Sequence, residues 1–205
     1  LSQRPRMMPL VVLLCGLLAT AWAWYGLRAS QQAAAELHFQ QLTGEVVEAV
    51  EKRMSNHRQI LLGGAGLFEA SESVSREDSR HYVQRLDLET NYPGIQGVGF
   101  SQVIRPGQLA EFEAVVRSEG FADFSVRPPG SRDLYTSILF LEPFSGRNLS
   151  AFGFDMYSEP MRRAAMRQAA ETGMAQLSGK VTLMQETAGP AQAGLLMYVP
   201  VYRSG

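Results

Sequence analysis

The sequence MMPLVVLLCGLLATAWAWYGL occupies residues 7–27 and contains no charged side chain. As an α-helix rising 1.5 Å per residue, this segment would be roughly 30 Å long, which matches the hydrocarbon core of a bilayer. Trp22, Trp24 and Tyr25 lie at its C-terminal end, where amphipathic rings favour the membrane interface. The segment therefore predicts a transmembrane helix.

The charges on either side of this segment predict its orientation. Arg4 and Arg6 precede it, and only Arg28 follows it closely. Because positive side chains favour the cytoplasmic side of a membrane, the N-terminus is expected in the cytoplasm. The remainder of the chain is then expected outside it, anchored in the inner or plasma membrane, and in the periplasm if the cell is Gram-negative.

A cleaved signal peptide is the alternative interpretation of the same segment. Ala21-Trp22-Ala23 loosely fits the small-x-small pattern of a cleavage site. The apolar run is longer than the apolar region of a typical signal peptide, however, and its last third is aromatic, which favours the transmembrane interpretation. Cys15, the only cysteine, follows Leu14 rather than the small residue that a lipidated cysteine needs, so it is interpreted as an apolar membrane residue.

The next stretch, residues 29–62, has the composition of a helix. It contains no Pro and one Gly, and Ala, Gln, Glu, Leu and Val dominate it. An apolar stripe recurs every four residues along this stretch, formed by Leu42, Val46, Val50 and Met54. We expect a stalk helix over residues 29–65, loosened or ended by the glycine cluster at 63–66, whose stripe packs on its own domain or on a partner stalk.

Beyond the stalk, helical and strand-like segments alternate without a regular rhythm. Helices are predicted after the N-cap residue Ser75, over 106–119, and over 160–172, where Gly173 ends the last one. The predicted strands are 95–103, 121–126, 135–144, 176–186 and 195–202. The last two flank Gly189-Pro190 and should pair antiparallel. The fold class is therefore α+β.

Composition and spacing exclude several functions. The chain of 205 residues has 19 basic and 20 acidic side chains, so no general attraction to nucleic acid is expected. His38, His57 and His81 lack a second ligand at metal-binding spacing, and the motifs of common nucleophilic enzymes are missing from the sequence. We predict no catalytic residues, no metal site and no cofactor.

Asp155 is the polar residue that stands out. Its neighbours are Phe152, Phe154, Met156 and Tyr157, and a carboxylate in such apolar surroundings must find hydrogen-bond donors. One interpretation is that Asp155 caps the helix that follows it. The other is that it accepts hydrogen bonds from a ligand bound in an apolar pocket.

A series of short motifs suggests a family. They are Gly66-Leu67-Phe68-Glu69-Ala70-Ser71, Ser75-Arg76, Tyr82-Val83, Tyr92-Pro93-Gly94-Ile95-Gln96-Gly97-Val98-Gly99-Phe100, Phe154-Asp155-Met156-Tyr157-Ser158, Glu171-Thr172-Gly173, Glu186-Thr187 and Tyr198-Val199-Pro200-Val201-Tyr202. In order and spacing, this series resembles the CHASE domain, the extracytoplasmic sensor module of bacterial and plant receptors, including cytokinin receptors. The resemblance covers about residues 45 to 203.

This resemblance implies an architecture and a role. It implies a long N-terminal helix followed by PAS-like α/β modules with antiparallel strands, and we assign residues 66–205 to this sensor domain after the membrane segment 1–28 and the stalk. It also implies a second transmembrane helix and a cytoplasmic histidine kinase, diguanylate cyclase or cyclic-di-GMP phosphodiesterase. Because the chain begins at Leu1 and ends directly after a strand, we expect it to be the non-enzymatic input part of such a two-component or cyclic-di-GMP receptor.

The resemblance also implies ligand-binding residues. In the cytokinin-receptor branch, the Asp of an Asp-Met-x-Ser motif binds the adenine ring, and this motif falls on Asp155. The two further pocket positions fall on Leu177 and Thr187. Residues 177–181 differ from the plant pattern, so an adenine-type, cytokinin-like molecule is one candidate ligand. The alternative function is a protein-interaction module that binds no small molecule and dimerises through the stalk helix.

Overall fold

The computed structural model describes residues 7–182 and 193–202, without the side chains of 7, 29 and 33–35. The chain divides into two compact units, Leu1–Met54 and Ser55–Gly205. Among the described residues, the architecture is a long N-terminal helix followed by a small α/β region with antiparallel strands. This confirms the predicted helix and the α+β class in outline.

The first helix, α1, extends over Met7–Ala70. Its most apolar 18-residue window has a mean hydropathy of 1.9 and is not buried by the rest of the protein. By length and composition, α1 is therefore a candidate to cross a membrane, a test that a signal sequence near an N-terminus would also pass.

The glycine cluster at 63–66 does not end this helix, contrary to the prediction. The reason is a close approach: a Cβ at Gly63 would lie 2.7 Å from the hydroxyl oxygen of Tyr82. That hydroxyl donates a hydrogen bond to the carbonyl of Ile60, one helical turn before Gly63. Burial raises the pKa of the Tyr82 phenol. The glycine at 63 thus makes room for a tertiary contact, and the helix continues because its backbone hydrogen bonds are kept.

Two alanine substitutions in the cluster test this explanation. No atom lies within 4 Å of the position that a Cβ would take at Gly66, so Gly66→Ala should stabilise the protein by about 0.5–1 kcal/mol through helix propensity. Gly63→Ala gains the same propensity but displaces the Tyr82 hydroxyl, which costs about 1 kcal/mol. Urea denaturation should therefore rank Gly66→Ala above Gly63→Ala, and equal stabilities would refute the packing role of Gly63.

The second helix, α2 (Arg76–Leu86), begins as predicted at the N-cap Ser75. The Ser75 hydroxyl oxygen accepts from the backbone N–H of Asp78 at 3.1 Å, and the Asp78 carboxylate accepts from the backbone N–H of Ser75 at 2.9 Å. This reciprocal pair is a capping box. After a left-handed turn at Asp87, the one-turn helix α3 (Leu88–Asn91) follows.

The capping box makes α2 sensitive to acid. The hydrogen bonds from Ser75 hold the pKa of Asp78 below its usual range. A depressed carboxyl pKa adds stability above the unfolded-state value near pH ~4, and that stability is lost as the pH falls through the folded-state pKa. We expect Ser75→Ala to lower the free energy of unfolding at pH 7 and to have a smaller effect below pH ~4, as measured by urea denaturation. Ser73→Ala, an exposed change just before the cap, should have no such effect.

Strands β1 (Val98–Ile104) and β2 (Tyr135–Glu142) pair antiparallel with a register shift between Phe100 and Ser101. The connection between them contains a 3₁₀ turn, Pro106–Gln108, and helix α4 (Leu109–Ser118). The predicted strand at 121–126 is wrong. The N–H of Phe124 donates to the carbonyl of Phe121 in a turn. The N–H of Val126 donates to the Glu113 carboxylate at 2.8 Å instead of to a strand.

The residues of that segment are nevertheless core residues. Phe124 and Val126, two positions apart in this segment, are buried in a cluster with Ile104, Val116 and Tyr135. The apolar pattern therefore predicted burial correctly. The backbone, however, forms its hydrogen bonds with the Glu113 side chain and within a turn rather than with a neighbouring strand.

An aromatic cluster joins α2 to β2. The guanidinium of Arg76 lies 4.5 Å from the ring centre of Phe121 and 5.1 Å from that of Phe152. It also donates to the carbonyl of Leu139 at 2.7 Å and pairs with Glu119 at 3.2 Å. Such cation–π contacts fix the start of α2 on the sheet.

The C-terminal part follows two short 3₁₀ segments, Gly146–Ala151 and Met156–Ser158. Helix α5 (Pro160–Thr172) ends at Gly173 in the left-handed conformation, as predicted.

The final strands pair antiparallel, as expected, but in two short ladders. Strand β3 (Gln176–Leu177) pairs with β6 (Met197–Tyr198), and β4 (Val181–Thr182) pairs with β5 (Ala193–Gly194). The predicted connection at Gly189-Pro190 lies outside the described residues. Because the described strands form three separate two-stranded sheets, the PAS-like architecture stays a prediction.

Candidate functional site

The segment 152–156 passes beside the start of β2 like an additional strand. The N–H of Ile138 donates to the carbonyl of Phe154, and the N–H of Asp155 donates to the carbonyl of Arg127. Gly153 makes this approach feasible: its φ is +81°, and a Cβ there would lie 2.7 Å from the carbonyl oxygen of Ser125. The side chain of Asp155 is therefore positioned by backbone contacts on both sides.

Asp155 is completely buried, with no exposed surface. Its Oδ1 accepts hydrogen bonds from the backbone N–H of Thr136 at 2.8 Å and of Tyr157 at 3.0 Å, and from the Thr136 hydroxyl at 3.4 Å. Through this oxygen Asp155 caps the 3₁₀ turn that follows it and ties that turn to β2. This is the capping role that the sequence left open, performed across the fold as well as locally.

The second oxygen, Oδ2, is placed differently. It lies 3.4 Å from Nη1 of Arg132, an ion-pair distance, but it accepts no hydrogen bond from the residues that the structure describes. Arg132 instead donates from the same Nη1 to the carbonyls of Pro128 and Gly130. Oδ1 accepts three hydrogen bonds, whereas Oδ2 faces the Arg132 guanidinium and accepts none from the described residues. Oδ2 therefore retains capacity for a further donor.

The other two predicted ligand residues are Leu177 and Thr187, and their place in a ligand site stays a prediction. Leu177 lies on β3, which packs against α5, and 47% of its surface is exposed. Thr187 lies outside the described residues.

A second buried charge lies at the start of α5. Arg162 is 3% exposed, and its Nη2 donates to the carbonyl of Thr182 at 2.7 Å. Its guanidinium covers the ring of Phe154 at 5.0 Å, and burial lowers its pKa. Sequence reasoning placed Arg162 on the helix without assigning it a role. The signal that identifies it is its spacing of three and seven residues from the buried Ala165 and Ala169, which puts it on the inner face of α5.

Tyr198 completes this buried region. Its hydroxyl approaches the sulfur of Met156 at 3.7 Å, a weak acceptor. Burial raises the pKa of the Tyr198 phenol. Phe154 and Met156, which flank Asp155 in the chain, thus both contact the polar side chains of the second region. The two polar sites are neighbours along one segment.

Within residues 7–182 and 193–202, no group of three or more His, Cys, Asp or Glu side chains is arranged to hold a metal ion. The site as described offers hydrogen bonds, charge and apolar surface.

A family model described as the CHASE domain matches residues 72–205. A search of curated proteins finds no match.

Proposed function

The chain belongs to the CHASE domain family, and from this premise we propose that it is a membrane-anchored extracytoplasmic sensor that binds a small molecule. The observation that carries the proposal is the family match over 72–205, which begins directly after a helix with a charge-free, strongly apolar first third. A sensory module of a receptor needs a membrane connection, and α1 supplies a candidate.

The orientation follows from the charges already described. With Arg4 and Arg6 before the apolar segment, the N-terminus lies in the cytoplasm and the sensor domain outside it. The output domain, a histidine kinase or a cyclic-di-GMP enzyme, then lies in the cytoplasm beyond a further transmembrane helix. The parent receptor carries the enzymatic activity, and the present chain supplies its input.

Signal transmission uses the contact between the end of α1 and the sheet. Phe68 of α1 stacks on Phe100 of β1 with ring centres 4.2 Å apart, and it lies 6.2 Å from Phe140 of β2. Tyr82 joins α2 to the same helix through Ile60. A ligand that binds one arrangement of the sheet more tightly than another therefore shifts the position of the helix end, by no more than its difference in affinity for the two arrangements.

The ligand site centres on Asp155, with Leu177 and Thr187 as further contacts. Support for this role comes from Oδ2, which is buried and lacks a hydrogen bond from the described residues. A ligand N–H that replaces the ion pair with Arg132 would satisfy it. An adenine-type molecule offers such donors beside apolar surface.

Calorimetric titration tests this assignment. The 205-residue chain in detergent micelles is titrated with adenine and N6-substituted adenines, and saturable binding is expected. Asp155→Asn keeps an oxygen for the two backbone N–H groups but removes the charge, so affinity should fall about 10-fold or more. Asp133→Asn, at an exposed position of the same loop, is the matched control. An unchanged affinity in Asp155→Asn would remove Asp155 from the ligand site.

The second candidate function is dimerisation through the stalk without a small-molecule ligand. It is favoured by the apolar stripe of α1, because Leu42, Val46 and Val50 are all about half exposed or more. Sedimentation should then show a monomer–dimer equilibrium that Val46→Lys weakens. Val47→Lys, at an exposed position off the stripe, is the control, and equal effects of both substitutions would exclude the stripe as the interface. Dimerisation together with ligand binding fits the first function; dimerisation alone fits the second.

A further inference from the structure

The buried guanidinium of Arg162 has no hydrogen-bonded anionic partner among the described residues. Its Nε is buried and has no hydrogen-bond acceptor among residues 7–182 and 193–202. Among the described residues, Oε2 of Glu159 forms an ion pair with this Nε at 3.8 Å, a distance too long for a hydrogen bond. A buried charge without a hydrogen-bonded partner is costly, so such a group usually has a function or a ligand.

Both carboxylate oxygens of Glu159 already accept hydrogen bonds from the backbone of α5. It is the N-cap of α5, and its Oε1 accepts from the backbone N–H of Met161 at 2.9 Å. Its Oε2 accepts from the backbone N–H of Arg162 at 2.8 Å. Both oxygens therefore stabilise the helix start, and the single negative charge also offsets the positive end of the helix dipole.

Among the residues that the structure describes, the other neighbours of Arg162 supply no negative charge. The face of the guanidinium covers the Phe154 ring, and one nitrogen donates to the Thr182 carbonyl. Tyr198 lies near enough to interact electrostatically with Arg162, and the acceptor of its hydroxyl is the weak Met156 sulfur. The region thus holds a cation whose Nε has no acceptor among the described residues and a phenol whose only acceptor there is a weak one, in apolar surroundings.

We propose that Arg162 binds the carboxylate group of a small organic ligand, with the Tyr198 hydroxyl as a second donor. This inference rests on the proposed sensor function and names the chemical class of the ligand. A guanidinium matches the planar, two-oxygen geometry of a carboxylate. A monocarboxylate adds one negative charge beside Arg162, whereas a phosphate dianion would add two to the same buried site.

The test uses the full chain in detergent micelles with named probes. Propionate, benzoate and succinate are added at constant ionic strength, with sodium phosphate and sodium chloride as comparison salts, and Tm and calorimetric affinity are recorded. At least one carboxylate should raise Tm in a saturable manner, and phosphate should not. Arg162→Gln should lower the affinity for that carboxylate by about 10- to 100-fold.

Two further variants make the result specific. Arg167→Gln removes a charge from an exposed position of the same helix and should leave the affinity unchanged. Since Arg162 also contacts Thr182, Tyr198→Phe provides a variant that keeps the packed ring and loses only the hydroxyl; it should weaken carboxylate binding by about 10-fold.

Three outcomes would overturn the inference: no carboxylate raises Tm, phosphate binds more tightly than any carboxylate, or the affinities of Arg162→Gln and the unmodified chain are equal. If adenines bind while carboxylates do not, only this inference fails and the proposed sensor function stands. If neither class binds, both are contradicted.

Discussion

Replacing Asp155 with alanine is expected to lower the free energy of unfolding by about 3–5 kcal/mol, because it removes a fully buried carboxylate that accepts two backbone hydrogen bonds and pairs with the partly exposed Arg132. The substitution leaves the backbone N–H groups of Thr136 and Tyr157 without their acceptor and removes the counter-charge of Arg132. Each buried donor without an acceptor costs about 1–3 kcal/mol. Urea denaturation followed by near-ultraviolet circular dichroism, which reports on packed aromatic rings, measures the loss.

Two comparison variants separate the parts of this effect. Asp155→Asn keeps an acceptor for the two N–H groups and should cost about 1–2 kcal/mol, mainly through the lost interaction with Arg132. Asp133→Ala, at an exposed position nearby, should change stability by less than about 0.5 kcal/mol. If Asp155→Ala were as stable as Asp133→Ala, the role of Asp155 in joining β2 to the following turn would be refuted.

The second large effect is expected for Phe124→Ala, at about 3–5 kcal/mol. Phe124 is buried in the cluster around Val116. Its ring lies 4.8 Å from the ring centre of Phe152 and 5.9 Å from that of Phe112. Removing it opens a cavity and loses two aromatic pairs. The same denaturation experiment measures the change.

Phe124→Leu is the matched control because it retains most of the apolar volume, and its cost should be clearly smaller than that of Phe124→Ala. At α4, the exposed Val115 provides a surface comparison: Val115→Ala should change stability by less than about 0.5 kcal/mol. Equal losses for Phe124→Ala and Val115→Ala would show that the cluster around Val116 is not the core of the domain.

Local signals in the sequence predicted the helix boundaries well. Ser75 followed by Asp78 three residues later specifies the start of α2, and Gly173 specifies the end of α5. Both features act within one turn of the chain, so they can be recognised from neighbouring residues alone. The long first helix was predicted for the same reason, since its composition favours helix over most of its length.

Tertiary contacts explain the predictions that failed. The glycines at 63–66 look like a helix end, but Gly63 faces Tyr82, 19 positions later in the sequence. The segment 121–126 looks like a strand, but the N–H of Val126 bonds to the side chain of Glu113. Local propensity does not predict the contact with Tyr82 or the hydrogen bond to Glu113, because tertiary contacts override propensity at both places.

The candidate site was predictable only in part. The apolar neighbours of Asp155 indicated that its carboxylate needs donors, and the structure supplies one of them locally at Tyr157 and another from Thr136 on β2. The remote donor could not be read from sequence. Arg162 was missed because a charged residue in the first turn of a helix is usually exposed, and its burial depends on the strands that follow α5.

Cysteine labelling in spheroplasts tests most directly whether α1 carries a sensor domain to the outside of the cytoplasm. In a Cys15→Ala background, which removes the only native thiol, a cysteine replaces either Ser2 before the apolar segment or the exposed Ser73 after it. A membrane-impermeant maleimide should label Ser73→Cys in intact spheroplasts and Ser2→Cys only after lysis. Labelling of Ser2→Cys before lysis, with protection of Ser73→Cys, would contradict the extracytoplasmic sensor.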